Sequence, residues 1–180
     1  MCSVATFAAK SIFKCFKYKS IDTIKMIYKS LIRPKLEYAN VIWSPLLQKH
    51  KDMLEKVQRR CTKFGPLTNL SYRDRLIQLG LTSLETRRNR SDLIQMFKYV
   101  KGFDKLQFVD PPKFLTNNTR GHKYKFIGDK PNKIHRARSS FFLNRFASDW
   151  NKLPKSVLEA ISVDDFKNRI DKLDQFQVGC

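Results

Sequence analysis

Apolar residues in this chain return every three or four positions, in blocks that end near glycine or proline. That period restricts the chain to amphipathic helices packed on one another. Ile24, Ile27, Tyr28, Leu31 and Ile32 form the first stripe, and Leu54, Val57, Cys61 and Phe64 the second. Leu76 and Leu79 follow, then Leu93, Met96, Phe97 and Val100. Phe142, Leu143, Phe146, Trp150 and Leu153 make a further stripe, and Phe166, Ile170 and Leu173 the last. Strand-like alternation is found over residues 122–127, with 133–138 as the segment that can pair with it.

The punctuation between stripes sets the expected boundaries. Ser20 or Asp22 is placed to cap the first helix, and Pro34 to kink or end it. Lys25, Lys29, Arg33 and Lys35 fall largely off its apolar stripe, while Leu36, Tyr38, Val41, Ile42 and Trp43 continue the apolar surface. A second helix is expected over about residues 47–64, stopped by Gly65 and Pro66. Ser71 or Asn69 caps a short helix; Thr82, Ser83, Leu84 and Glu85 then have capping-box form and open a helix to about Lys101. Gly102 closes it, and Pro111, Pro112, Asn117, Asn118, Gly121, Gly128 and Pro131 mark a turn-rich stretch. One helix over 141–153 and another from Ser162 complete the chain. The fold class is mainly α: a helical bundle over 20–101, a turn-rich linker with a short β-hairpin over 102–133, and a small helical unit over 134–180.

Charge narrows the range of partners. Lys and Arg number 36 against 16 Asp and Glu, a net charge of +20, which attracts polyanions within the screening length. The basic residues gather in clusters: Lys56, Arg59, Arg60 and Lys63; Arg87, Arg88 and Arg90; and Lys123, Lys125, Arg136 and Arg138, with His122 and Lys133 beside them. Clustered cations on helices suit phosphate contacts, which position a duplex without reading its sequence. Arg59 and Arg88 are the first choices for such contacts. The N-terminal stretch is broken by Lys10, Lys14, Lys17 and Lys19, unlike a signal peptide or membrane span, so a nuclear or cytoplasmic, non-secreted protein is expected.

Catalytic patterns are weak. Asp164 and Asp165 are adjacent, but Ser162 before them marks a helix start where carboxylates favour the positive first turn. Asp149 has no partner at ligand spacing, and Asp110 sits before a proline. Cys2, Cys15, Cys61 and Cys180 lack zinc-site spacing, and Cys61 with His50 lacks an orienting group. No cofactor or metal is expected in this chain. Tyr28, Trp43, Phe97, Phe142, Phe146 and Trp150 sit at helical spacing, which core packing explains.

Several stretches carry a family resemblance: MIYKSLIRPKLEYANVIWSP, LEKVQRRCTKF, LSYRDRLIQLGLTSLETRRNRSDLIQMFKYVKG, RGHKYKF, FFLNRFASDWNKLPKSVLEA and SVDDFKNRID. Taken in this order, they resemble the region that follows the polymerase palm in reverse transcriptases of non-LTR retrotransposons, the LINE and jockey-like elements. The resemblance implies that residues 16–64 and 70–101 correspond to the helical thumb, which grips the template–primer duplex, and its extension. Residues 1–19 would adjoin the palm, and the later segment would belong to the family's C-terminal region. The stretch 64–68 is shorter than the family pattern leads one to expect.

The resemblance also implies what the chain should not do. The family's tyrosine- or phenylalanine-alanine-aspartate-aspartate palm motif does not occur in these 180 residues, and its Mg2+ would be held in that palm. The chain alone is therefore not expected to polymerise. Its expected function is non-specific binding of RNA or RNA–DNA duplex, with a palm-containing polypeptide as a further partner. The alternative is a decayed element remnant, or an interaction piece that uses its apolar thumb face.

Overall fold

A computed structural model describes residues 2–45, 47–105, 107, 111–115, 124–127, 141–173 and 176, and it is mainly α-helical. Contacts divide the chain into two compact units. The first comprises Met1–Ala39, Leu47–Arg87 and Gln175–Cys180; the second comprises Asn40–Leu46 and Arg88–Asp174. This division differs from the sequence-based boundary at Lys101, because it falls within a helix that continues without a break.

In the first unit, α1 (Cys2–Cys15) buries Phe13, whose ring stacks on Phe64 at 4.3 Å. Ser20 caps α2 (Ile21–Ile27) by accepting from the Thr23 N–H at 3.2 Å. The chain then widens into a π-helical turn, Tyr28–Ile32, and continues as α3 (Arg33–Glu37) with Pro34 in its first turn. The Arg33 N–H reaches back to the Tyr28 carbonyl, five residues away, just before the proline that has no N–H to donate. The wider turn shifts the buried face: Ile24, Tyr28, Ile32 and Leu36 are buried four residues apart, and Leu31 is 46% exposed. The expected stripe position for Leu31 is thus corrected. Beyond α3, Tyr38 and Ile42 are also exposed.

Helix α4 (Gln48–Cys61) buries Leu54, Val57, Gln58 and Cys61. It ends before Gly65, as the Thr62 hydroxyl donates back to the Gln58 carbonyl at 3.0 Å. Gly65 has φ +54, and a Cβ there would lie 2.4 Å from the Lys19 carbonyl oxygen, so this close approach requires glycine. Ser71 caps α5 (Tyr72–Leu79), which ends at left-handed Gly80 with the Leu81 N–H on the Leu76 carbonyl at 2.9 Å.

Helix α6 (Leu84–Val100) opens differently from the capping box expected on Thr82. Ser83 caps it, accepting from the Thr86 N–H at 3.1 Å, while Glu85 pairs with Lys51 instead of turning back. The far end of α6 belongs to the second unit and closes with the Phe103 N–H on the Lys98 carbonyl at 2.8 Å, around Gly102.

The second unit has an aromatic core. The helix expected over 141–153 is two helices, α7 (Phe142–Arg145) and α8 (Ala147–Lys152), separated at Phe146. Pro154 precedes α9 (Lys155–Leu158), and Ser162 caps α10 (Val163–Ile170). Phe166 stacks on Phe97 at 4.0 Å, Trp150 is tilted against Phe166, and Phe146 meets Trp150 edge-on. Phe126 pairs with Phe114 in an isolated antiparallel bridge, and the Asn151 amide both accepts from the Phe126 N–H and donates to its carbonyl, each at 2.9 Å. The expected partner segment 133–138 lies outside the described residues.

Candidate nucleic-acid interface

The basic face begins with the burial of its helix. Leu54, Val57 and Cys61 turn α4 inward, so Lys56, Arg59 and Arg60 between them, and Lys63 just past the helix, are all exposed. Spaced three, four and seven apart, they share one side of the helix and the turn that follows it. None of the four is in an ion pair among the described residues.

A hydrogen-bonded network fixes the rotation of that helix. Gln58, fully buried, accepts from the Tyr28 hydroxyl and donates to the Tyr72 hydroxyl at 2.8 Å and to the Thr82 carbonyl at 3.0 Å. The Tyr72 hydroxyl donates to Glu55, whose other oxygen accepts from the Leu84 N–H at 3.0 Å at the start of α6. A carboxylate there favours the positive helix end. The Tyr72 ring lies 4.9 Å from the Arg59 guanidinium and 5.5 Å from that of Arg75, which donates to the Arg59 carbonyl at 3.2 Å. Arg59 therefore has a preset orientation. Tyr72 and Arg75 were not singled out in the sequence; the signal was their spacing of three in α5, facing the last turn of α4.

Burial, and then nearby acidic groups, hold the Tyr28 and Tyr72 hydroxyls well above the usual tyrosine range. Burial likewise pushes the Cys61 thiol up to about 12. A thiol so placed is a packing group, and His50 stands eleven residues earlier on the same helix, roughly 16 Å along its axis.

The next expected cluster is drawn inward. Arg87 forms a two-bond ion pair with Glu37, and Arg90 pairs with Asp171 at 2.6 and 2.8 Å. Arg88, a first choice for a duplex contact, is 5% exposed and lies 4.7 Å over the Trp43 ring. That burial corrects the expectation of an outward charge. Sequence clustering brought these three together, but helical geometry points them in different directions, toward different carboxylates and rings.

Of the last cluster, Lys125 is half-buried and its carbonyl accepts from the Leu115 N–H at 2.8 Å. Lys123, Arg136 and Arg138 lie outside the described residues. Asp164 and Asp165 serve the helix start: Asp165 N–H donates to Ser162 at 3.1 Å, and Lys167 and Arg169 hold the two carboxyls below the usual range. Among the described residues, no group of His, Cys, Asp and Glu is arranged to hold a metal, and no helix is long and apolar enough to cross a membrane. Comparison with protein-family models, curated proteins and solved structures finds no match to this chain.

Proposed function

We propose that this chain binds RNA or RNA–DNA duplex through its phosphate backbone, in the manner of the post-palm thumb of a non-LTR retrotransposon reverse transcriptase. The observation that carries the reading is the exposed α4 face: Lys56, Arg59, Arg60 and Lys63, unpaired with carboxylates among the described residues, in a chain of net charge +20. From Lys56 to Arg60 the helix rises about 6 Å, and Lys63 extends the row just past its end. The stacking of Arg59 on Tyr72 keeps its guanidinium from collapsing onto the helix, and less side-chain entropy is then lost on binding. Such contacts address phosphate and leave base sequence unread. Polymerisation is not part of the proposal, since the palm's paired-aspartate motif does not occur in this sequence.

The test is fluorescence anisotropy of a labelled RNA–DNA duplex titrated with the full chain at several salt concentrations. Micromolar or tighter binding, with log affinity falling linearly in log salt, is the expected result. No binding at low salt by a folded chain would overturn the reading. A second reading is favoured by Met26 and Tyr38, which are 60% and 73% exposed on α2 and just after α3: an apolar face that meets a protein partner. Self-association seen by light scattering, without duplex binding, would favour it.

A further inference from the structure

Arg87, removed from its sequence cluster by Glu37, has gained different neighbours. Lys25, Lys29 and Arg33 recur every four residues along α2, the π-helical turn and α3, so one side of that continuous helix carries a row of cations. Like charges at this spacing repel. Arg33 Nε lies 3.8 Å from the same Glu37 carboxylate that Arg87 holds, so two guanidinium groups share one carboxylate. These side chains are only 23% exposed for Arg33, 29% for Arg87 and 18% for Glu37. Partial burial, followed by the charges of Lys25, Arg33 and Arg87, disfavours the Lys29 ammonium and holds its pKa below the usual lysine range. Neither Lys25 nor Lys29 is paired with a carboxylate among the described residues. Lys25 does lie by the carboxyl end of α5, where its ammonium would be 3.7 Å from a Cβ at Gly80, a favourable place for a cation. Lys29 has no such offset among the described residues.

Two guanidinium groups on one carboxylate, continued by Lys29 and Lys25 along the helix, leave a row of cations set against its own repulsion, and an anion of two or more charges would relieve it. We propose that Lys25, Lys29, Arg33 and Arg87 form a second site, separate in residues from the α4 face, that takes a phosphate-type oxyanion. Lys29 and Arg33 are its direct donors, Lys25 and Arg87 strengthen the positive field, and Glu37 holds the two guanidinium groups in place. The oxyanion comes either from a nucleic-acid backbone or from a free phosphate compound. Only the first source rests on the function proposed above.

The experiment compares the full chain with Lys29→Gln and with Lys29→Gln/Arg33→Gln. Lys29→Gln removes repulsion and is expected to fold at least as stably as the parent, which secures the comparison. Inorganic pyrophosphate at low salt should raise the unfolding temperature of the parent and not that of the double variant. Equal shifts in both, or no shift in either, would overturn the site. With an RNA–DNA duplex, a roughly five- to tenfold loss of affinity in the double variant identifies the backbone as the source. Unchanged duplex affinity with a lost pyrophosphate response identifies a free oxyanion. Failure of the α4 reading is seen separately, as absence of duplex binding by the parent, and leaves the pyrophosphate comparison intact.

Discussion

Arg145 grips Asp92 with two hydrogen bonds of 2.6 Å, Nε to Oδ2 and Nη2 to Oδ1, and the same guanidinium donates to the Asn40 and Val41 carbonyls at 3.1 and 2.7 Å. Asp92 is 2% exposed, so this is a buried ion pair that also holds Asn40 and Val41 within the second unit. Burial raises the Asp92 carboxyl above the usual range, and Arg145 opposes that rise. Arg145→Ala should therefore cost about 3–5 kcal/mol, because it strands a buried carboxylate. Arg145→Lys should recover only part of the loss, since an ammonium cannot reproduce the fork. Urea denaturation checks both; a change below about 1 kcal/mol for Arg145→Ala would contradict the account.

Gln58 is the corresponding keystone in the first unit. Gln58→Leu keeps the shape but leaves the Tyr28 hydroxyl and the Thr82 carbonyl without the partners they now have. A loss of about 2–4 kcal/mol in urea denaturation is expected. The Arg59–Tyr72 contact should loosen with it, which nucleic-acid affinity would register as a smaller, secondary loss.

These two centres show what the sequence made legible and what it did not. Ser20, Ser71 and Ser162 could be read as caps, because a hydroxyl three residues before a free N–H is a local signal. The α4 face was legible for the same reason: one helix carries both the buried stripe and the cations between its members. Leu31 was misplaced because the π-helical turn before Pro34 changes the period within a single helix. Arg88 was misjudged because its burial under Trp43 depends on a residue 45 positions earlier in the chain, a tertiary contact with no periodic trace. The Asp92–Arg145 pair spans 53 positions and was likewise invisible.

Ala39 takes φ +51, the left-handed region in which a Cβ crowds the backbone. Ala39→Gly should relieve that strain and, after the added chain entropy of glycine, stabilise the protein by up to about 1 kcal/mol. Thermal unfolding under fixed conditions measures it, and destabilisation would contradict the account.

Alkaline pH should unfold the first unit. The folded state holds the Cys61 thiol at about 12 against an ordinary value of 9.0, and the Tyr28 and Tyr72 hydroxyls above their ordinary 10.0. Each is an acid with a raised folded value, so its stabilisation is complete below the unfolded value and is lost as pH climbs toward the folded one. Stability should begin to fall near pH 9, with Cys61 alone responsible for a loss on the order of 4 kcal/mol by pH 12. Cys61→Ala should flatten that decline in a circular-dichroism titration. Alkylation at pH 8, mapped by mass, should modify exposed Cys15 and spare Cys61 until urea is added.

The most direct test of the α4 interface is the salt dependence of duplex binding by the parent chain and by Lys56→Gln/Arg60→Gln/Lys63→Gln, all three substitutions lying on an exposed face. If these cations neutralise phosphates, the variant should stay folded, bind more weakly at low salt, and show a log–log slope shallower by about 2–3. An unchanged slope in the folded variant would contradict the assignment of phosphate binding to this face.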